Sequence, residues 1–139
     1  MKTLILVALV VLISGCISQE TQLTPANPPS WAPTYVPASW NLTSVQKSTD
    51  YEYVMNYLDA GGTKNELLLE DNTGTTKEDV CRSLLMSCEN INGTLISETF
   101  DRTENTYNQN AVADRYMVSY TSRNRIGTGE LIKIVQSMK

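Results

Sequence analysis

The prolines of this chain are confined to one short polar segment. All five fall between residues 25 and 37, at Pro25, Pro28, Pro29, Pro33 and Pro37. Because proline fixes φ and lacks a backbone N–H, such a stretch does not fit a helix interior or a central strand. We predict an extended, semi-rigid tether within residues 16–39 and expect the folded domain to occupy residues 40–139.

The first sixteen residues have the pattern of an export signal. Lys2 supplies a positive charge, and an apolar run follows over residues 4–13. The run is too short to cross a bilayer as a helix, which takes about 20 residues, but it has the length of a signal-peptide core. Small residues then stand just before Cys16, where they would let an extended segment enter a peptidase cleft.

On these residues the leader resembles the lipobox signal of prokaryotic lipoproteins, archaeal or bacterial. The resemblance implies that residues 1–15 are removed and that the Cys16 sulfur carries a diacylglyceryl lipid. The mature chain would then be anchored to the extracytoplasmic face of the cell membrane, or of an outer membrane where the cell has two. A plain signal peptide with an incidental cysteine, or an uncleaved anchor, is the alternative. The resemblance covers the leader alone.

Charge and composition argue against several classes of function. The formal net charge is -4, and loss of Lys2 with the leader makes the mature chain more negative. Nucleic acid and anionic lipid surfaces are therefore unfavourable partners. The chain has no histidine, which rules out Ser-His-Asp and Cys-His arrangements and His-ligated zinc within it. We predict a protein that is not an enzyme, binds no metal or cofactor and does not bind nucleic acid.

Alternating residues predict the first strands of the domain. Aromatic and apolar side chains occupy every second position here: Tyr51, Tyr53, Met55 and Tyr57. This is the period of a half-buried strand. A turn signal over residues 59–62 leads to a second predicted strand over residues 65–70. A helix that starts at residue 50 and ends at Gly61 is the competing interpretation.

One segment carries a helical pattern. Thr75 and Glu78 have the spacing of a capping box, and four apolar side chains follow at helical spacing: Cys81, Leu84, Leu85 and Cys88. We predict a helix over residues 77–90 that Asn92-Gly93 terminates.

Three further strands are predicted, over residues 94–100, 114–121 and 130–136. Residues 122–129 would join the last two as a hairpin loop, whereas the polar stretch 101–110 would form a mobile loop or solvated strand ends. The expected fold is α+β: a small antiparallel sheet of about five strands, in the order ββαβββ, with one helix packed on one face.

Cys81 and Cys88 form an even pair in a chain predicted to be exported, which favours a disulfide. Seven residues of regular helix would separate their Cα atoms by about 10 Å, beyond the ~7 Å that a disulfide tolerates. Either the helix breaks between them, or the thiols are free and buried, or each has another partner. A metal or redox role is less favoured, since two thiolates do not complete a zinc site and the spacing is not CxxC.

Aromatic residues offer the best candidate surface for a partner: Trp31, Tyr51, Tyr53 and Tyr57. A tryptophan between prolines is a low-entropy anchor for a groove, and tyrosines supply rigid apolar area with a polar tip. Packing is nevertheless the favoured interpretation for both groups: Trp31 would pack loosely against a domain that starts at Trp40, and at least some of the tyrosines would lie in the core under the helix.

Other polar motifs carry weaker signals. Three carboxylates lie close in sequence, at Glu98, Asp101 and Glu104, without the pattern of a calcium loop, so a solvated loop is favoured. Arg123 and Arg125 could bind an anion or simply solubilise a turn. Asn41 and Asn92 begin glycosylation sequons, which matter only in an organism that modifies them.

These features together predict a non-catalytic lipid-anchored protein of the cell envelope or surface. Its small domain would bind something or complete an assembly, with an envelope protein as the expected partner. A solute- or glycan-binding module of a larger transporter or enzyme system is the alternative.

Overall fold

A computed structural model describes residues 22–84 and 87–139, which form eight strands and two short helices. In chain order the elements are β1 (Thr24–Pro25), β2 (Asn41–Thr49), β3 (Glu52–Leu58), β4 (Lys64–Asp71), α1 (Lys77–Ser83), β5 (Glu89–Ile91), β6 (Thr94–Asp101), β7 (Thr106–Ala113), β8 (Tyr116–Ser122) and α2 (Thr128–Gln136). The predicted leader and its Cys16 lie outside the described residues, as does Leu85 of the predicted helical stripe.

The eight strands form one open antiparallel sheet in the order β1-β2-β3-β4-β8-β7-β6-β5. The two central strands are β4 and β8, which pair from Asn65 opposite Ser122 to Asp71 opposite Tyr116. The α+β class holds in its broad sense, but the prediction of about five strands and one helix is wrong. The described chain is mostly β, with eight strands and two helices.

The hairpin predicted from the alternating tyrosines is confirmed. β3 and β4 pair antiparallel from Glu52 opposite Glu70 to Leu58 opposite Lys64. Asp59 Oδ1 accepts from the N–H groups of Gly61 and Thr63 at 2.9 Å each, which stabilises the turn between them. The competing helix from residue 50 is therefore excluded.

The predicted helix over residues 77–90 is too long. α1 ends at Ser83, and its N-cap is Thr76, whose hydroxyl accepts from the Asp79 N–H at 3.2 Å. The second half of the predicted segment contains β5 instead. Asn92-Gly93 forms the two-residue turn of the β5–β6 hairpin, with φ of 51° and 86°, the left-handed values that Asn-Gly hairpin turns require.

The strand predicted over residues 130–136 is a helix, and residues 122–129 lead into it rather than form a hairpin loop. The error has a physical source, because β-branched residues are frequent here and suggest a strand. The decisive period is helical: one face of α2 and the residues after it are buried, at Leu131, Ile134, Val135 and Met138.

Strands with mostly polar sequences were not predicted. The stretch 101–110 was expected to be a loop or strand ends, yet β7 starts at Thr106 inside it. Gln109 is 2% exposed in that strand. Its amide donates to Ile126 O at 2.8 Å and accepts from Ile126 N at 2.9 Å, so burial leaves its hydrogen bonds satisfied. β1, β2 and β5 were also not predicted.

The proline-rich segment packs on the sheet over its described part, so the domain begins well before residue 40. β1 pairs with β2, and Trp31, Tyr35 and Trp40 pack against the main core. The Tyr35 hydroxyl donates to Glu130 of α2, and Tyr35 N donates to Ser137 Oγ at 3.1 Å. The prediction of a free-standing spacer up to residue 39 is therefore wrong for this part of the chain.

Candidate functional site

The two faces of the sheet differ in what covers them. On one face, which we call the covered face, the proline-rich segment and α2 pack over β3, β4, β7 and β8. Leu67, Leu69 and Val118 on this face have no exposed surface. On the opposite face, which we call the open face, Leu68 and Ser119 lie on the same two central strands and remain partly exposed. Partial exposure at the centre of a sheet means that no second layer covers that point.

α1 covers one end of the open face. Val80 and Cys81 of the helix form a small buried cluster with three sheet residues, Leu95, Val112 and Met117. A disulfide joins Cys81 to Cys88 with their Cα atoms 6.4 Å apart. This distance is reached because the helix ends at Ser83, so the break considered from the sequence is the arrangement observed.

Beyond that cluster the open face carries a network of hydroxyls and amides. Asn110 Nδ2 donates to Ser97 Oγ at 3.2 Å, and Ser119 Oγ donates to Asn110 Oδ1 at 2.6 Å. In the next row Thr121 Oγ1 donates to Asn108 Oδ1 at 3.0 Å. These bonds cross between neighbouring strands, so the side chains are held in fixed positions, with Ser119 and Thr121 partly exposed above the buried Ser97 and Asn110.

Asn56 leaves one polar atom of the open face without a partner. Its Nδ2 donates to Ser44 Oγ at 3.1 Å, but its Oδ1 has no hydrogen-bond partner among the described residues. The residue is only 8% exposed. An unpaired buried acceptor costs free energy, and because this atom is enclosed by protein it is not a contact point for a ligand in this conformation.

A pocket of about 520 Å³ lies beside Asn56, at the end of the open face away from α1. Its wall includes Glu66, which is the register partner of Asn56. Charged, hydroxyl and glycine residues line it: Gly62, Thr63, Lys64, Glu66, Thr106, Thr121, Ser122 and Arg123. The pocket therefore offers both hydrogen-bond donors and acceptors to a ligand.

Two carboxylates face each other across β3 and β4 on the same face. Glu52 and Glu70 are register partners, and Ser48 Oγ donates to Glu52 Oε1 at 2.7 Å. Burial raises the pKa of Glu70, and the neighbouring Glu52 raises it further. The pair makes this part of the open face acidic.

Most of the aromatic residues predicted to bind a partner are used for packing. Trp31 lies 5.6 Å from Tyr53 and 5.9 Å from Tyr116 between ring centroids. Tyr53 and Tyr57 are buried in the core of the covered face. Burial also raises the pKa of the Tyr57 hydroxyl. Tyr51, in contrast, is 62% exposed in the turn between β2 and β3.

The remaining predicted residues do not converge on one site. Glu98 forms a two-bond ion pair with Arg125, at 2.7 and 2.8 Å, whereas Asp101 accepts from backbone N–H groups of its own turn. Arg123 lines the pocket. The sequon asparagines Asn41 and Asn92 are exposed.

The residues of the open face were missed by sequence reasoning. They are serines, threonines and asparagines on strands that carry few apolar residues, and such residues are typical of loops as well. Polar residues at every second position of β7 and β8 were the available signal, at Asn108, Asn110, Ser119 and Thr121.

Membrane-spanning helices and metal centres are both absent from the described residues. No helix within residues 22–84 and 87–139 has the length and apolar character needed to cross a bilayer. Over the same ranges, no three acidic or cysteine side chains converge as a metal centre would require. Comparison with known proteins finds no match for this chain among family models, curated proteins or solved structures.

Proposed function

We propose that this protein is a non-catalytic, lipid-anchored protein of the cell envelope or surface, and that it uses the open face to bind a polar partner. The anchor would be a lipid on Cys16, on the extracytoplasmic side of the membrane. The expected partner is another envelope protein that packs on the polar side chains of the open face.

The observation that carries the proposal is the contrast in cover between the two faces. An antiparallel sheet needs only one apolar face for stability, and here the covered face supplies it. The open face keeps a fixed network of hydroxyls and amides and has no second layer over its centre. The Cys81–Cys88 disulfide is in keeping with an exported protein, and the absence of histidine in the sequence favours binding over proton-transfer chemistry.

A small polar solute or a glycan is a second candidate ligand. The pocket at the end of the open face favours it, because its charged and hydroxyl side chains offer both donors and acceptors to such a ligand. Tyr53 and Tyr57, which could have stacked on sugar rings, are buried on the other side of the sheet. We therefore expect hydrogen bonds, and not stacking on aromatic rings, to hold such a ligand.

A pair of threonines allows a matched test. A photo-crosslinking residue placed at Thr121, on the open face, is compared with one placed at Thr103, in the exposed β6–β7 turn. In native membranes we expect a defined covalent product from position 121 and none from position 103. Mass spectrometry of the product distinguishes a protein partner from a small ligand.

Two results would contradict the proposed binding surface. One is equal crosslinking from positions 121 and 103. The other is the absence of both a crosslink and a bound small mass in protein extracted from its own membrane with mild detergent.

A further inference from the structure

The exposed apolar side chains are unevenly distributed over the sheet. Among the described residues five large apolar side chains are more than 40% exposed, and four of them lie beside one sheet edge: Leu23 at 43%, Leu42 at 46%, Tyr51 at 62% and Leu58 at 41%. We call this group the β2 edge. The fifth, Phe100, is 46% exposed and lies on β6, near the other side of the sheet.

These four residues lie along the three outermost strands on this side, β1, β2 and β3. Leu23 directly precedes β1, and Tyr51 is in the turn that joins β2 to β3. Leu42 and Leu58 lie at the other end of the same hairpin, where Leu42 pairs with Tyr57 and Leu58 with Asn41. The group therefore spans the length of β2 rather than one point on the surface.

The backbone of this edge is also incompletely paired. β1 pairs with β2 at only two positions, Lys47 and Gln46, and Ala26 N adds one bond to Val45 O at 3.1 Å. Within the described chain, residues 41–44 of β2 have no strand on their outer side. An exposed edge with apolar side chains is normally shielded, because it would otherwise aggregate.

The length of chain before β1 brings this edge close to the proposed anchor. Seven residues, 17–23, separate Cys16 from Thr24, and a chain of that length spans at most about 28 Å when fully extended. The opposite edge, β5, lies seven strand spacings from β1, or about 33 Å across the sheet. A lipid on Cys16 therefore keeps β1 within about 28 Å of the bilayer, which is too short a reach for the sheet to stand upright on its β5 edge.

We propose that the β2 edge rests on the lipid bilayer in the anchored protein. The leucines contact the boundary between head groups and acyl chains, and the ring of Tyr51 lies at the level of the head groups, where aromatic residues are stable. The sheet then stands on edge, and its open face points along the membrane surface. This inference rests on the proposed lipid anchor, since these few side chains would not hold the domain on a membrane by themselves.

Charge determines which lipid suits this contact. Lys47 is paired with Asp50 at 3.0 Å, so the edge offers no unpaired basic patch to an anionic surface. The expected occupant is a neutral bilayer surface, which the apolar side chains can enter at little electrostatic cost.

The test uses the full, lipidated chain in phosphatidylcholine vesicles. Leu42→Cys and Phe100→Cys are each labelled with an environment-sensitive nitrobenzoxadiazole dye. The two positions have the same exposure, and the new cysteine is the reactive thiol, since Cys81 and Cys88 are bridged and Cys16 would carry the lipid. We expect lipids brominated on their acyl chains to quench the dye at position 42 and leave the dye at position 100 unchanged.

Each result separates one explanation from another. Equal quenching at both positions, or none at either in protein that floats with the vesicles, overturns the orientation and leaves the anchor standing. A blue shift at position 42 that depends on protein density, without bromine quenching, indicates a second copy on this edge and also overturns it. Protein that does not float with the vesicles defeats the anchor itself. Should Leu42→Cys fail to fold, Leu58→Cys takes its place.

Discussion

The covered face and the open face of the sheet bury their side chains by different interactions. On the covered face, Trp40 stacks over Tyr120 with centroids 5.8 Å apart, and aliphatic side chains fill the space beneath α2. On the open face, burial at Asn110 and Ser97 is achieved by small polar side chains that bond to one another. The difference is possible because each strand alternates its side chains between the two faces. Under the proposed function, the covered face supplies stability and the open face supplies recognition.

The largest expected effect tests this contrast within a single strand. Leu69→Ala removes a fully buried side chain from the covered face and should lower the free energy of unfolding by about 3 kcal/mol. Leu68→Ala, one residue away on the open face, should cost about 1 kcal/mol, since Leu68 is already partly in water. Urea denaturation of both variants measures the difference. Equal losses would show that the open face is covered as well.

The next effect concerns the proline-rich segment. If residues 26–39 are a true second layer, Trp31→Ala should lower the free energy of unfolding by about 2 kcal/mol, less than for a fully buried tryptophan because Trp31 is half-buried. A free spacer would give no change. Leu23→Ala, in the exposed residue before β1, is the control and should be close to neutral.

The smallest effect lies on the open face and depends on pH. The pKa of Glu70 is raised by burial and by Glu52, so the folded state binds its proton more tightly than the unfolded state does. The carboxyl therefore favours folding at acidic pH, and this contribution is lost as pH rises through its folded pKa.

Glu70→Gln should consequently remove that pH dependence and stabilise the protein at neutral pH. The gain should stay under about 1 kcal/mol, because the two carboxylates are partly exposed and screened. Thermal unfolding at a series of pH values measures it. If the Glu70→Gln variant, with Glu52 still present, shows the same pH dependence of unfolding as the wild type, Glu70 is excluded as the cause. Glu104→Gln, in an exposed turn, serves as the matched control.

Sequence reasoning succeeded where periodicity and turn chemistry agreed. The β3–β4 hairpin combines alternating tyrosines with a turn that Asp59 stabilises, so local signals were sufficient. α2 was misassigned because its β-branched residues suggest a strand, whereas its burial pattern follows from the sheet it packs on. β7 was missed because its polar residues suggest a loop. Gln109 can be buried there since its amide forms hydrogen bonds with the backbone of Ile126, seventeen residues away in sequence, and a local sequence pattern does not predict such a contact.

The candidate site was less predictable than the fold. Tyr53 and Tyr57 were correctly placed on one strand face, whereas Tyr51 lies in the turn before β3. The sequence did not show that Trp31 and Trp40 would cover that face. Once they do, the aromatic side is closed and the polar side is left for a partner. Serine, threonine and asparagine on a strand are recognised as a surface network only when their cross-strand neighbours are known.

The sequence by itself determined the absence of histidine, the β3–β4 hairpin and the start of α1, which depend on composition or on neighbouring residues. The export signal with Cys16 remains a prediction from the sequence. Only the tertiary structure decided the role of the proline-rich segment, the extent of the sheet and the choice of its open face. The physical reason is that proline excludes a segment from regular structure without keeping it away from the core. Whether such a segment extends into water or packs on a sheet depends on distant apolar side chains, such as Tyr53 and Tyr116 beneath Trp31.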